Sequence, residues 1–277
     1  MIAFNFAYYQ PVSINEAISL YKDLKTSGKS VYYFSGGTEF ISRARRNEIT
    51  CDAVIDIKGI PETNLLEWDS DHLVTGASCS LSSIVNEGLF PLLGKVAKEI
   101  ATQTERNKIT LGGNIASNLP YKEAILPFLL ADSDIVIASE KGTKQQPINE
   151  MYNKGRLLQD GEFIVQFITK QRLTTLPFIH IRRTKQSSVN YPVVSLAALQ
   201  DRKETRIAIS GLTNYPFRST EIENLLQTKE SSIENMMDRV IEVLPESAVL
   251  DFQATEEYRH FVLQTILNEV LSMKGAS

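Results

Sequence analysis

The stretch RNKITLGGNIA, Arg106 to Ala116, decides how this chain is read. Gly112 and Gly113 stand between an apolar segment and a small polar residue, Asn114. Glycine lets the backbone take positive φ and lets a ligand approach the main chain without a Cβ in the way. Successive N–H groups in such a turn form a concave nest that binds an anion. A second pair, Gly36-Gly37, repeats the pattern, following the run Val31 to Phe34 and preceding Thr38. Taken singly, each pair reads as a tight turn, for which Gly-Gly is a common dipeptide. Two nests facing each other would suit a pyrophosphate better than one, with Thr38 and Asn114 adding side-chain hydrogen bonds.

Around these pairs the chain falls into three parts. Ser13-Ile14-Asn15-Glu16 is a capping box opening a helix with Ala17, Leu20, Tyr21 and Leu24 on one face, and Gly28 closes it. A strand from Val31 to Phe34, a short basic helix from Glu39 to Arg46 and a strand from Ala53 to Ile57 complete a β-α-β-like lobe. The second lobe begins with a hairpin, Leu65 to Trp68 and His72 to Gly76, and helices from Ser80 to Glu87 and Pro91 to Ala101. After the glycine-rich Ile109 to Asn118 come an apolar helix, Glu123 to Leu130, and strands from Ile135 to Ala138 and Phe163 to Thr169. The third part has antiparallel strands from Phe178 to Arg182, Val193 to Gln200 and Arg206 to Leu212, then amphipathic helices within Ser219 to Met273. Strands followed by helices predict an α+β architecture. The expected division is a domain over 1–170, with lobes over about 1–57 and 58–170, and a C-terminal α+β domain over 171–277 with a three-stranded antiparallel sheet.

Composition narrows the class. The chain has 277 residues, 43% of them apolar and 22% charged, which is the globular range rather than the disordered one. A net charge of −4 and a pI near 5.6 argue against a nucleic-acid or anionic-membrane binder driven by bulk charge. The apolar run from Ala124 to Ala131 is broken by Pro127 and is far below the roughly 20 residues of a membrane helix. No basic residue precedes Lys22, so a secretory leader is not expected and the expected location is the cytoplasm, with Cys51 and Cys79 as reduced thiols. His72, His180 and His260 stand far apart, and there is no C-x-x-C pair, so neither a zinc site nor a cysteine-ligated cluster has a ligand set. A G-x-G-x-x-G fingerprint is also missing, which leaves a Rossmann-type dinucleotide fold unsupported.

The wider strings around the glycine pairs carry a resemblance. YYFSGGTEFI, Tyr32 to Ile41, resembles the first flavin-binding loop of the FAD-binding subunits of molybdenum hydroxylases. RNKITLGGNIASNLPYKEAILPFLLADSDIVI, Arg106 to Ile137, resembles their second loop, which reads R-N-x-A-T-I-G-G-N-I-A before a Pro, an acid and an apolar helix. FAYYQPVSINEAISL at the start and the segment Phe178 to Leu199 resemble two further blocks, in the same order along the chain. The resemblance implies a two-lobed FAD-binding domain of the vanillyl-alcohol-oxidase/PCMH type. It maps the first loop onto Tyr33, Phe34, Ser35, Gly36, Gly37, Thr38, Glu39 and Phe40, and the pyrophosphate-holding second loop onto Thr110, Leu111, Gly112, Gly113 and Asn114. Ile100 and Ala101 map near the isoalloxazine, Ile164 onto a flavin-side strand, and Arg182 onto a basic position near the flavin. Glu123 maps onto an adenosine-side acid that is usually Asp; where relatives show Asp seven residues past Arg182, this chain has Val189-Asn190.

On the residues alone, Glu39 reads equally as a helix cap, Glu123 as a first-turn residue and Arg182 as a solvated strand residue, while Ile100 and Ile164 read as core. The resemblance further implies an FAD-carrying electron-transfer subunit, with a molybdenum-cofactor subunit, an iron–sulfur subunit and NAD as partners, and xanthine as substrate of the assembly. No catalytic acid or base and no metal site are expected in this chain. The alternatives are a sister complex acting on carbon monoxide, nicotinate, an aldehyde or an aromatic thioester, or a flavin-free assembly subunit.

Overall fold

Three sheets follow one another along the chain. The first is parallel and built from β1 (Ala7–Tyr9), β2 (Val31–Phe34) and β3 (Ala53–Asp56), in the order β1-β3-β2. All four residues of the central β3 are buried. The helix Ile14–Thr26 packs on it through Ala17, Tyr21 and Leu24. Half of the predicted capping box forms at its start: Ser13 Oγ accepts from Glu16 N–H, whereas the Glu16 carboxylate accepts from Val12 N–H (2.9 Å), one residue before the Ser13 N–H of a full box. The structure is a computed structural model describing residues 2–152, 155–187, 189–202, 204–227, 233–245, 249 and 251–274.

The second sheet is antiparallel, with β4 (Leu66–Asp69), β5 (His72–Gly76), β6 (Asp134–Ser139), β7 (Gly142–Pro147) and β8 (Phe163–Lys170) in the order β4-β5-β8-β6-β7. One face of β8 reaches the first lobe: Phe163 and Val165 share a core with Ala17, Tyr21, Ile55 and Ile57. Phe167 faces the other way and stacks on Phe128 at 4.4 Å, inside a core that also holds Leu81, Leu92, Leu111 and Ile115. Strict alternation would put Phe163, Val165 and Phe167 on one face; a register irregularity where β8 pairs β6, between Val136↔Gln166 and Ile137↔Ile164, changes the parity and turns Phe167 to the other core.

The third sheet has four strands, not the expected three. β9 (Phe178–Thr184), β10 (Pro192–Asp201) and β11 (Glu204–Ser210) are joined by β12 (Phe217–Arg218), in the order β12-β11-β10-β9. A two-residue strand leaves no periodicity to read. The same holds for β1, with three residues. β7 is missed for another reason: it is a polar, exposed edge strand, which keeps the sheet margin unattractive to other chains. Ala197, Leu199 and Ala208 of the third sheet complete the second lobe's core, whereas Leu196, Ala198, Ile207 and Ile209 face the helices Ile233–Glu242 and Glu256–Lys274. Arg259, 1% exposed, fastens the last helix to the sheet by donating to Val193 O and Gly211 O (both 2.6 Å) and to Asp251 Oδ1. Cys51 and Cys79 are buried free thiols, and burial pushes both pKa values up. Among the described residues no helix is long and apolar enough to cross a membrane, and no cluster of three or more His, Cys, Asp or Glu is placed to hold a metal ion.

Candidate functional site

The two glycine pairs meet. β2 runs into Ser35-Gly36-Gly37, and Gly37 takes φ +70° to open the helix Thr38–Arg45. The opening N–H groups of that helix have no intrahelical carbonyl to bond. A Cβ on Gly36 would stand 2.1 Å from Lys108 O and 3.1 Å from Thr110 N, so the first loop lies directly on the backbone of the second. A Cβ on Gly37 would enter the Phe34 ring at 2.2 Å.

The second loop is laid alongside residues 77–81. Leu81 N–H donates to Ile109 O (2.9 Å), Leu111 N–H to Cys79 O (2.9 Å) and Gly112 N–H to Ala77 O (2.8 Å). A Cβ on Gly112 would be 2.7 Å from the Ala77 Cβ. Thr110 Oγ1 accepts from Gly113 N–H at 3.3 Å and so starts the short helix Leu111–Ala116.

Between the loops and the segment Leu158–Glu162 lies a cleft of about 400 Å³. Of the residues the sequence singled out, Tyr33, Phe34, Ser35, Gly112, Gly113 and Ile164 line it. Tyr33 stacks on Tyr21 at 4.9 Å and tilts against Phe163 at 4.6 Å. Its hydroxyl is buried with no hydrogen-bond partner among the described residues, and burial pushes the phenol pKa up. Tyr21, whose hydroxyl donates to Asp160 Oδ1 at 2.6 Å, and the Leu158–Glu162 segment are cleft features that sequence reasoning missed. The sequence puts Tyr21 on the apolar face of its helix and gives no sign of the cleft; the Asp160-Gly161 turn dipeptide is the available signal.

The other singled-out residues frame the cleft. Gly36, Gly37 and Thr38 form the turn just described. Glu39 accepts from Asn118 N–H (3.3 Å) and pairs with Arg43 (3.5 Å), tying the first helix to the end of the second loop. Phe40 packs edge-on to Phe34 at 5.7 Å. Leu111 is core, and Asn114 Oδ1 accepts from Ala124 N–H at 3.3 Å. Glu123 and Arg182, 4% and 6% exposed at their side chains, face each other with two hydrogen bonds (2.9 and 3.3 Å), and Arg182 also donates to Asn190 O (2.7 Å). The adenosine-side acid and the flavin-side cation implied by the resemblance are therefore one buried ion pair.

Ile100 and Ala101 form a strained corner, since Ala101 has φ +52°. Arg106 Nη1 holds both carbonyls (3.0 and 2.5 Å). The preceding Glu99 sits 2.6 Å from Lys95 Nζ and 3.1 Å from Nδ1 of His180, whose ring is fully buried with Nε2 3.0 Å from Ser195 Oγ. Burial alone would raise the Glu99 carboxyl, but the His180 and Lys95 contacts outweigh it and hold its pKa at about 2, below the ordinary 4.5. A depressed carboxylate stabilises the fold above its unfolded pKa, and that contribution disappears as pH falls through the folded value. Glu99→Gln is thus expected to flatten the loss of stability between pH 5 and pH 2, measured as the urea midpoint against pH. Identical slopes in both proteins would show that Glu99 carries no part of the acid sensitivity.

A diphosphate joined to ring systems at both ends needs glycine backbone at its centre and aromatic or polar surface beyond. The cleft offers both: Gly112 and Gly113 in its wall, and a buried phenol that has no hydrogen-bond partner among the described residues, beside stacked rings. FAD fits this description. Residues 4–169 match the family described as the FAD binding domain in molybdopterin dehydrogenase. The chain belongs to that family. It is 23% identical to the xanthine dehydrogenase FAD-binding subunit of Escherichia coli O157:H7, over 97% of this chain and 96% of that one. It is 27% identical to the carbon monoxide dehydrogenase medium chain of Hydrogenophaga pseudoflava, over 60% of this chain and 59% of that one. The fold superimposes on carbon monoxide dehydrogenase from Hydrogenophaga pseudoflava with a TM-score of 0.86 at 20% identity, covering 97% and 96% of the two chains. Quinoline 2-oxidoreductase from Pseudomonas putida 86 gives 0.83 at 20% identity, with 99% and 98% covered. The cofactor of this FAD-binding chain is FAD, and the assembly type is an oxidoreductase.

Proposed function

We propose that the chain is the FAD-carrying electron-transfer subunit of a xanthine dehydrogenase-type complex in the cytoplasm, acting in purine catabolism. Its partners in this reading are a molybdenum-cofactor subunit, an iron–sulfur subunit and NAD. The observation that carries it is the contact between Gly36 and the Lys108–Thr110 backbone, which brings two glycine loops to one cleft. The xanthine reading is supported by the near end-to-end match to the Escherichia coli chain. When bound, the flavin supplies a two-electron redox centre.

The chain's own residues do the holding. Backbone N–H groups over Ser35–Phe40 would take the pyrophosphate; those of Leu111, Gly112, Gly113 and Asn114 are already bonded within the protein, so the second loop would offer it side-chain-free glycine surface rather than donors. Tyr33 and Ile164, which line the cleft, would contact the rings; the Ile100–Ala101 corner would lie towards the isoalloxazine and the Glu123–Arg182 pair would meet the cofactor as a unit. Residues 1–170 form the flavin domain and 171–277 the domain that covers it.

The isolated full chain is expected to bind one FAD, to reduce an artificial dye from NADH and to oxidise no purine. Flavin content by absorbance and the two assays check this. A stable chain that ignores added FAD would sink the flavin reading, and xanthine oxidation by the metal-free chain would sink the subunit reading. The fold likeness to carbon monoxide dehydrogenase supports a sister complex as second reading. Substrate profiling of the complex purified with its partners separates the two.

A further inference from the structure

Lys58 holds the first loop from outside. Lys58 Nζ donates to Ser35 O (2.7 Å) and to Asp56 Oδ2 (2.6 Å), and lies 5.0 Å from the centre of the Phe34 ring. Asp56, 1% exposed, also accepts from the Tyr8 hydroxyl and from Lys58 N–H (3.0 Å). The carboxylate is therefore fixed both from β1 and from the turn Ile57–Gly59 that follows β3. The Phe34 ring under Lys58 is the same ring that a Cβ on Gly37 would strike. One ammonium thus touches the carbonyl before Gly36 and the ring beneath Gly37.

In a planar trans peptide the C=O and N–H point in opposite directions. Anchoring the Ser35 carbonyl on Lys58 turns the Gly36 N–H away from Lys58. A flipped plane would offer a phosphate the negative end of the peptide dipole instead of a donor. We propose that Lys58 is the positioning residue of the first loop, setting the Ser35–Gly36 peptide so that the loop's N–H groups receive the diphosphate of FAD. The proposal rests on the placement of that diphosphate at the two glycine loops. Because Asp56 compensates the charge, Lys58 acts by orientation more than by net attraction.

The test titrates the flavin-free full chain with FAD and follows flavin fluorescence. Lys58→Met is expected to weaken binding about tenfold, the scale of one hydrogen bond to a charged group, and Lys58→Arg to restore most of it. Asp56→Asn combined with Lys58→Met removes the stranded carboxylate; it is expected to show the same weakening with a flavin-free melting temperature close to that of the wild type. Wild-type affinity in the double variant, or no rescue by Arg, would overturn the proposal. Gly113→Val serves as the control on the site itself. If it keeps FAD, the placement of the diphosphate fails and this proposal with it. If it loses FAD while the Lys58 variants keep theirs, only the role of Lys58 fails.

Discussion

Gly36→Ala is expected to cost the chain most of its FAD. The added Cβ would sit 2.1 Å from the Lys108 carbonyl oxygen, and both sides of that contact are backbone, so no side chain can turn aside. The two loops must part, at an overpacking cost of roughly 1–3 kcal/mol. Separated loops cannot both reach one diphosphate, and FAD affinity is expected to fall at least about a hundredfold, or ~2.7 kcal/mol. Gly28→Ala is the contrasting control. Gly28, unlike Gly36, has positive φ, at +76°, and a Cβ there meets nothing within 4 Å, so backbone strain comes without any collision. It is expected to lower stability by about 1 kcal/mol and leave FAD binding intact. Calorimetric titration with FAD and thermal melts of both variants decide the matter; a Gly36→Ala chain that keeps wild-type affinity would refute the loop-contact argument.

Arg182→Met is expected to be the most destabilising single change in the site. It would strand the Glu123 carboxylate, 4% exposed, without its bidentate partner. Breaking one half of a buried pair costs about 3–5 kcal/mol, mostly from the charge left behind. Glu123→Gln in the same chain removes that charge and is expected to recover most of the loss. Arg183→Met, which breaks only an exposed pair with Glu269, is expected to change stability by less than about 1 kcal/mol. Urea denaturation of the two singles and the double forms the comparison. Similar small losses for Arg182→Met and Arg183→Met would mean that the Glu123 pairing does not hold in solution. The pairing also alters what Arg182 does to a nearby flavin: a neutral pair shifts its potential less than a lone cation would.

What the sequence disclosed follows from where its periodicity was strong. The helix after Ser13 and the long strands β8 and β10 carry apolar residues at regular spacing and stand where the pattern put them. β1 and β12 are too short to have a pattern, and β7 is polar throughout. The helix after Pro91 ends at Glu99 rather than Ala101, because the Ala101 backbone turns to positive φ, which no propensity foretells. In the site, the glycine pairs were visible because glycine is itself the signal. Lys58, Tyr21 and Asp160 were not, since each belongs to an element whose local pattern gives it another reading. Nothing in the neighbourhood of either Glu123 or Arg182 announces the other, 59 positions away.

The arginines that cross from the third sheet have a bearing on how the chain is made. Arg206 donates to Leu130 O and Arg218 to Leu129 O, and both also bond Asp132, closing the carbonyl end of the helix Leu126–Leu130. On the ribosome, that helix and Phe128 leave the exit tunnel well before those arginines do, since the arginines follow the carbonyls they cap by 76 and 89 residues. At roughly 5–20 residues per second, the flavin lobes wait several seconds with polar carbonyls uncapped and apolar surface uncovered. A nascent chain arrested soon after β8 should accordingly be a client of ribosome-associated chaperones, and release from them should coincide with emergence of β12.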